Sequence, residues 1–184
     1  MSGLPPNRSP EAIPTRIENH TASDGSPIEI IDYYQFVMGD YFQTMGVPIV
    51  AGRSFEPADA ASPAKVVIVN ETLARRIWKG RNPIGQRVRP SLSAAIGFGD
   101  NSWHTVIGVA RDVKQGGEKQ TGTELYVSLD QLAMAAPTMN VVLRTTLPPA
   151  GLSRTLQRLV RDVDPAVPIV RLRGMDVVFA ESIR

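Results

Sequence analysis

Residues 79–88, KGRNPIGQRV, have the spacing that comes closest to a chemical motif in this chain. Gly80 and Gly85 are separated by four residues, as are the glycines of a phosphate-binding loop. In such a loop a Lys that neutralises phosphate charge and a Ser or Thr that holds magnesium come next, whereas here Gln86 and Arg87 follow. A phosphate loop also follows a strand and opens a helix, but this segment follows a helical pattern and precedes a strand-like one. We therefore interpret it as a turn and expect no ATP binding.

The other side chains with chemical potential occur singly. His20 and His104 are the only histidines, and neither has the spacing of a metal ligand pair. The chain has no cysteine, which excludes disulfides, thiolate metal sites and cysteine nucleophiles. Four aspartates lie where turns or helices are expected to begin or end, and Asp commonly caps such positions. They are Asp40, Asp59, Asp112 and Asp176. The sequence thus predicts no catalytic, cofactor-binding or metal-binding residue, and no enzyme.

A basic cluster lies on and just after a predicted helix at residues 71–79. Its members are Arg75, Arg76, Lys79 and Arg81. Apolar residues occupy a different side of this helix, and no aromatic residues alternate with the cations as a base-stacking platform requires. The net charge of the chain is only +2. We interpret the cluster as a solvated helix face and expect no functional nucleic-acid binding.

The composition is that of a folded protein with many short elements. Of 184 residues, 42% are apolar and 21% are charged, and the chain contains 15 prolines and 15 glycines. The longest uncharged stretch, Gln131–Leu143, is shorter than the roughly 20 apolar residues that span a bilayer. The N-terminus lacks the apolar segment of a signal peptide. If the natural protein is at a membrane, the chain is a piece of it.

The first two thirds of the sequence predict a β-rich region with short helices. Strands are expected where β-branched and aromatic residues cluster, and helices where an N-cap residue precedes an apolar periodicity. The expected strands are residues 15–19, 27–37, 65–70, 86–90, 103–113 and 123–129, with a brief edge segment at 47–55. The expected helices are Tyr41–Met45, capped by Asp40 and ended by Gly46, and residues 71–79, capped by Asn70. Residues 56–63, 91–101 and 114–122 are expected to be loops.

The last third predicts a β-α-β unit. Residues 139–146 and 167–173 have strand-like composition, and the helix between them carries apolar residues at i, i+4, i+7, i+8 and i+11 from Leu152. Asp176 is expected to cap a final helix that has no stop signal before Arg184. We therefore expect the native chain to continue beyond Arg184.

Four segments in order resemble a known family. They are GDYFQTMGVPIVAGRSFEPAD (39–59), VVIVNETLARRIWKGRNPIGQRV (66–88), WHTVIGVARDVK (103–114) and ELYVSLDQ (124–131). Together they resemble the extracytoplasmic core domain of MacB-like ABC transporter permeases, within the FtsX-like superfamily. The resemblance extends from about residue 30 to the C-terminus.

This resemblance implies an α+β fold in which a β-rich, Sabre-like subdomain is inserted into a porter-like subdomain containing the β-α-β unit. It implies the β-rich subdomain at 29–136 and the porter-like part at 137–184, leading toward a transmembrane helix. It also implies an apolar run of membrane-spanning length on each side of the chain. Residues 1–28, which are rich in Pro, Ser, Asn and Gly, are expected to form an N-terminal partly extended segment. The family's usual first porter-like helix and strand are missing from the chain.

The resemblance also implies a function without chemistry in this domain. It places the domain on the periplasmic side of the bacterial inner membrane. The rest of the permease and a separate cytoplasmic ATPase would be its partners. The domain would transmit ATPase-driven motion to an exported substrate or a periplasmic partner protein. It would need no cofactor, and the four segments carry no ligand-contact residue.

Two other classes of function stay open at this point. One is a stand-alone periplasmic module that binds a small ligand or peptide in a pocket lined by Trp78, Trp103 and Tyr126. The other is an enzyme with an unfamiliar site. Transmembrane segments on both sides of the domain in the full gene would favour the permease interpretation over both.

Overall fold

The computed structural model describes residues 12–91, 102–114, 121–132 and 138–182. They form the expected mixed α+β fold, built on one sheet of eight strands. The strands are β1 (Ile13–Ile17), β2 (Ile28–Ile31), β3 (Tyr33–Val37), β4 (Ile49–Gly52), β5 (Lys65–Asn70), β6 (Arg87–Pro90), β7 (His104–Ala110) and β8 (Glu124–Ser128). The helices are α1 (Tyr41–Met45), α2 (Pro57–Ala61), α3 (Glu71–Trp78), α4 (Pro149–Val163) and α5 (Met175–Ser182), with a 3-10 turn at Leu129–Gln131.

The sheet is mixed and curls on itself. Its strand order is β2-β1-β6-β7-β5-β8-β3, and β4 pairs with β7 outside this path. The pairs β5–β7 and β3–β8 are parallel, and the others are antiparallel. Tyr34 of β3, at one end of the order, hydrogen-bonds to Thr15 of β1 near the other end. The two ends therefore approach each other across a shared core, and burial raises the pKa of the Tyr34 phenol.

Both faces of the central strands are covered. On β5, Val67 and Val69 belong to the core cluster that includes Leu73 and Ile77 of α3. Ile68, between them, belongs to a second cluster with Phe42 of α1. A strand that is covered on both faces has no solvent side, which explains its nearly unbroken run of β-branched residues.

The expected strand at residues 27–37 is two strands. The chain turns at Asp32, whose Oδ2 accepts hydrogen bonds from the backbone N–H and the hydroxyl of Thr123, each at 2.7 Å. β2 then pairs with β1 and β3 with β8. A continuous strand-like composition does not show where a chain changes its pairing partner, so the sequence could not reveal this corner.

The segment expected to be a loop at residues 56–63 contains α2. Pro57 is the first helical residue, where the missing proline N–H costs nothing. Asp59 Oδ2 accepts a hydrogen bond from the Glu56 N–H at 2.8 Å and so ties the helix to the residue before it. Five residues are too few for an apolar periodicity to appear in the sequence.

The expected β-α-β unit is correct in its helix and wrong in its strands. The helix is α4, but residues 138–148 and 164–174 contain no β-strand. Val141 is 74% exposed and Val170 is 80% exposed. A strand needs a neighbouring strand to satisfy its backbone groups, and the described part of the chain places none beside these residues. Asp176 lies in the first turn of α5, which begins one residue earlier, and does not precede the helix as an N-cap.

Candidate functional site

The KGRNPIGQRV segment is a turn, as predicted. α3 ends at Trp78, Lys79 adopts a left-handed conformation at φ 48°, and β6 begins at Arg87. The Gly85 N–H donates to the Val106 carbonyl at 2.8 Å, which attaches the turn to β7. The segment thus connects a helix to a strand, the reverse of the order in which a phosphate loop presents its amides.

The parallel strands β5 and β7 end at the same edge of the sheet. In many α/β proteins, ligands bind at this kind of edge. Asp112 lies here, just after β7, and its carboxylate accepts hydrogen bonds from the Thr72 N–H, the Thr72 hydroxyl and Arg75 Nη2, each at 2.8 Å. These contacts join the first turn of α3 to the end of β7. The prediction that Asp112 supports a turn or helix end is confirmed. The helix end is that of α3, about 40 residues earlier in the chain.

A second acidic centre lies on the inner side of β2. Glu29 is buried and is paired with His20 Nε2 and with Arg76 Nη2, each at 2.9 Å. All four cations of the basic cluster are exposed, so its interpretation as a solvated helix face is confirmed. Arg75 and Arg76 hold carboxylates from distant parts of the chain, a role that sequence spacing could not indicate.

A third acidic centre lies at α2. Asp59 is buried and receives Arg53 Nη1 and Nη2 at 2.7 Å each, in a bidentate pair. The Arg53 hydrogen bonds lower the pKa of Asp59; burial opposes this shift and the Glu56 N–H assists it. The side chain of Gln131 reaches the same region, donating to the Asp59 and Ala64 carbonyls at 2.8 and 3.1 Å. These contacts attach α2 to the sheet.

The lowered pKa predicts that Asp59 stabilises the fold above acid pH. Its stabilisation is fully present above the unfolded-state pKa of about 3.9 and is lost as pH falls through the folded-state pKa. We expect Asp59→Asn to reduce the free energy of unfolding at pH 7 by about 1–3 kcal/mol, and by much less at pH 2. Urea unfolding at both pH values measures this. Asp130→Asn, which changes an exposed carboxylate, is the matched control; an equal loss in both variants at pH 7 would contradict the assignment.

The three aromatic residues of the ligand-pocket alternative do not come together. Trp78 is buried in the α3 core cluster and Tyr126 in the cluster on the opposite face of the sheet. Trp103 is half-buried, with the guanidinium carbons of Arg87 and Arg89 at 5.6 and 5.1 Å from its ring centroid. A common pocket for the three does not form.

His20 and His104 have different hydrogen-bond partners, Glu29 and the Ser102 carbonyl. His104 is buried at the start of β7, with Nδ1 at 3.1 Å from the Ser102 carbonyl oxygen. Within the described ranges, no group of three or more His, Asp and Glu side chains is arranged to hold a metal ion.

Residues 138–182, which we call the C-terminal arm, show a different kind of surface. Large apolar side chains along the arm are exposed, and they include Met139, Val141, Leu143, Leu147, Leu159, Val163, Val167, Val170, Leu172 and Phe179. The arm is joined to the sheet region by Arg144, whose Nε donates to the Thr44 carbonyl at the end of α1 at 2.9 Å. None of the helices in the described part of the chain is long and apolar enough to cross a bilayer.

Two solved bacterial protein structures have a similar fold. The periplasmic region of MacB from Actinobacillus actinomycetemcomitans matches with a TM-score of 0.56 and 16% identity, over 84% of this chain and 64% of that one. A domain described as part of a permease from Porphyromonas gingivalis matches with a TM-score of 0.51 and 18% identity, over 96% of this chain and 80% of that one. The chain thus spans somewhat less than two thirds of the MacB region. No curated protein matches it.

The sequence itself matches a family model, the MacB-like periplasmic core domain, over residues 9–164. The chain belongs to this family. The resemblance drawn from the four segments is therefore confirmed, and so is the periplasmic placement.

Proposed function

We propose that this domain couples the motion of an ABC transporter permease, driven by a separate cytoplasmic ATPase, to an exported substrate or a periplasmic partner protein. The observation that carries the proposal is the family match over residues 9–164. A domain in this role needs no reactive site. It needs instead a rigid part, called here the firm body, a segment that receives the motion, and a contact through which the motion passes between the two.

The structure offers parts that suit each of these needs. The curled sheet, covered by α1 and α3, is the firm body. The C-terminal arm suits the receiving segment, since its exposed apolar side chains favour contact with further protein. The Arg144–Thr44 hydrogen bond is one contact between arm and body. On this proposal, residues 137–184 are the porter-like part and the β-rich subdomain of residues 29–136 reaches back to β1.

A cross-linking experiment tests the coupling without knowledge of the substrate. Thr44→Cys and Arg144→Cys are introduced into the full-length permease and joined by a short bismaleimide; within this chain they are the only cysteines. If arm and body move relative to each other during the ATP cycle, the cross-link blocks a required conformational step. We expect ATP hydrolysis by the reconstituted permease–ATPase complex to fall by about fivefold or more.

Each single-cysteine variant is the control, and it should hydrolyse ATP at the same rate with and without the reagent. An unchanged rate in the cross-linked double variant would contradict the proposed coupling between these parts.

A further inference from the structure

Three arginines share the outer face of the neighbouring strands β1 and β6. Arg16 of β1 lies directly opposite Arg89 of β6, and Arg87 lies opposite Thr105 of β7. The residues that alternate with them, Ile17 and Val88, are 5% and 0% exposed and point into the core. Side chains alternate between the two faces of a strand, so the arginines point away from the core. We call Arg16, Arg87, Arg89 and the adjacent Trp103 the arginine face.

The charges on the arginine face are only partly balanced. Arg87 is paired with Glu18. Within the described ranges, the ion pairs of the protein include neither Arg16 nor Arg89. Like charges placed directly opposite each other on antiparallel strands are destabilising. The free domain thus bears a cost that an anionic group between these two side chains would remove.

Trp103 gives this face a second property. The guanidinium carbons of Arg87 and Arg89 lie 5.6 and 5.1 Å from the centroid of its ring, within cation–π distance. This contact restrains the side chains of Arg87 and Arg89 while the indole stays half-exposed. On the neighbouring edge strand β2, Ile30 is 45% exposed and has the same orientation, through its pairing with Pro14. The face is therefore cationic at its centre and apolar at its border.

The composition of the face favours a protein partner over a lipid or a nucleic acid. Arg and Trp are enriched among the residues that dominate protein–protein binding energy, and a guanidinium binds a carboxylate in a bidentate geometry. Recognition of anionic lipid by basic clusters uses about four to eight basic residues, and stable nucleic-acid binding neutralises many phosphates. Arg16 and Arg89 together are too few for either.

We propose that the arginine face is a docking surface for a protein segment that presents Asp or Glu side chains next to apolar ones. The inference rests on the proposed function, which requires an extracytoplasmic protein or substrate to receive the motion, and it assigns the surface and its chemistry. Carboxylates of the partner lie between Arg16 and Arg89, and an apolar side chain lies against Trp103.

Peptide binding to the isolated domain tests the proposal. The probe is a capped peptide of alternating Glu and Leu, and its matched control has Gln in place of Glu. Trp103 is half-buried whereas Trp78 is 3% exposed, so a change in tryptophan fluorescence on titration reports mainly on this face. We expect the Glu peptide to bind at least tenfold more tightly than the Gln peptide.

Variants locate the binding. Arg16→Gln combined with Arg89→Gln should weaken binding of the Glu peptide at least tenfold. The matched double variant, Arg154→Gln with Arg158→Gln on exposed positions of α4, removes the same charge and should bind as the wild type does. Arg16→Glu should also abolish binding, and it should raise the melting temperature by about 1–3 °C because it replaces a like-charge pair with an opposite-charge pair.

Three results would overturn the proposal: equal affinity for the two peptides, an equal loss in both double variants, or binding to phosphatidylglycerol vesicles without binding to the Glu peptide. Because these measurements use the domain alone, their failure is distinguishable from failure of the ATPase coupling test on the full complex.

Discussion

Gly52→Ala is expected to destabilise the domain by about 3–5 kcal/mol, a range that few single substitutions reach. At Gly52 the strand β4 pairs with β7 so closely that a Cβ would lie 2.1 Å from the Ile107 carbonyl oxygen and 3.0 Å from the Gly108 Cα. These are backbone atoms, so a rotamer change cannot relieve the overlap. Gly52 also has φ +70°, a left-handed conformation that costs other residues about 1–2 kcal/mol. We therefore expect β4 to separate from β7.

Thermal unfolding measures this effect. For a chain of this size, 3–5 kcal/mol corresponds to a fall in melting temperature on the order of 10 °C. Gly80→Ala is the matched control, because Gly80 has φ +87° and the position that its Cβ would occupy has no neighbouring atom within 4 Å. It should show only the conformational cost of about 1–2 kcal/mol. Similar losses of melting temperature in the two variants would mean that the close approach of β4 to β7 does not contribute to the effect of Gly52→Ala.

Asn70→Ala is expected to destabilise the domain by about 3 kcal/mol. Asn70 is 1% exposed, and its Oδ1 accepts hydrogen bonds from the N–H groups of Leu73 and Glu124, both at 2.9 Å. Its Nδ2 donates to the Gly122 carbonyl at 2.8 Å. Loss of the N-cap alone costs about 1 kcal/mol, and each buried backbone group left without a partner adds about 1–3 kcal/mol. One side chain thus joins the start of α3 to the segment that enters β8.

Urea unfolding of three variants separates these contributions. Asn70→Asp keeps both acceptor interactions and loses the donor, so it should reduce the free energy of unfolding less than Asn70→Ala does. Asn82→Ala removes an exposed side chain whose Oδ1 accepts from the Ile84 N–H at 3.0 Å, and should cost less than about 1 kcal/mol. If Asn70→Ala is no worse than Asn82→Ala, the proposed link between α3 and β8 is wrong.

In the first two thirds of the chain, the helix ends and central strands could be predicted from the sequence because their signals are local. The β-branched run of β5, the Asn70 cap of α3 and Gly46 after α1 each act within a few residues, and each is present as expected. Asn70 illustrates the limit of such a signal. The sequence indicates its cap on Leu73, but its contacts with Gly122 and Glu124 depend on a loop and a strand more than 50 residues away.

The strands expected on either side of α4 show that a local signal can also predict an element that does not form. The composition of residues 139–146 favours an extended backbone, yet extension becomes a strand only when a neighbouring edge supplies the hydrogen bonds. In the described part of the chain no strand pairs with these residues, and their apolar side chains include exposed ones such as Val141. The apolar periodicity of α4 likewise predicted the helix correctly. It did not determine which part of the protein packs against the apolar side of that helix.

By itself the sequence determined the class of fold, most of the local elements and, through four ordered segments, the family. Only the tertiary structure decided which distant side chains meet. It divided residues 27–37 at Asp32, gave Arg75 and Arg76 their carboxylate partners, and placed Arg16 opposite Arg89. The physical reason is that caps, turns and periodicity arise from interactions within a few residues, whereas strand pairing depends on the register between segments far apart in the chain. The proposed docking surface belongs to this second kind, because two ordinary arginines become an unbalanced pair only through the register of β1 and β6.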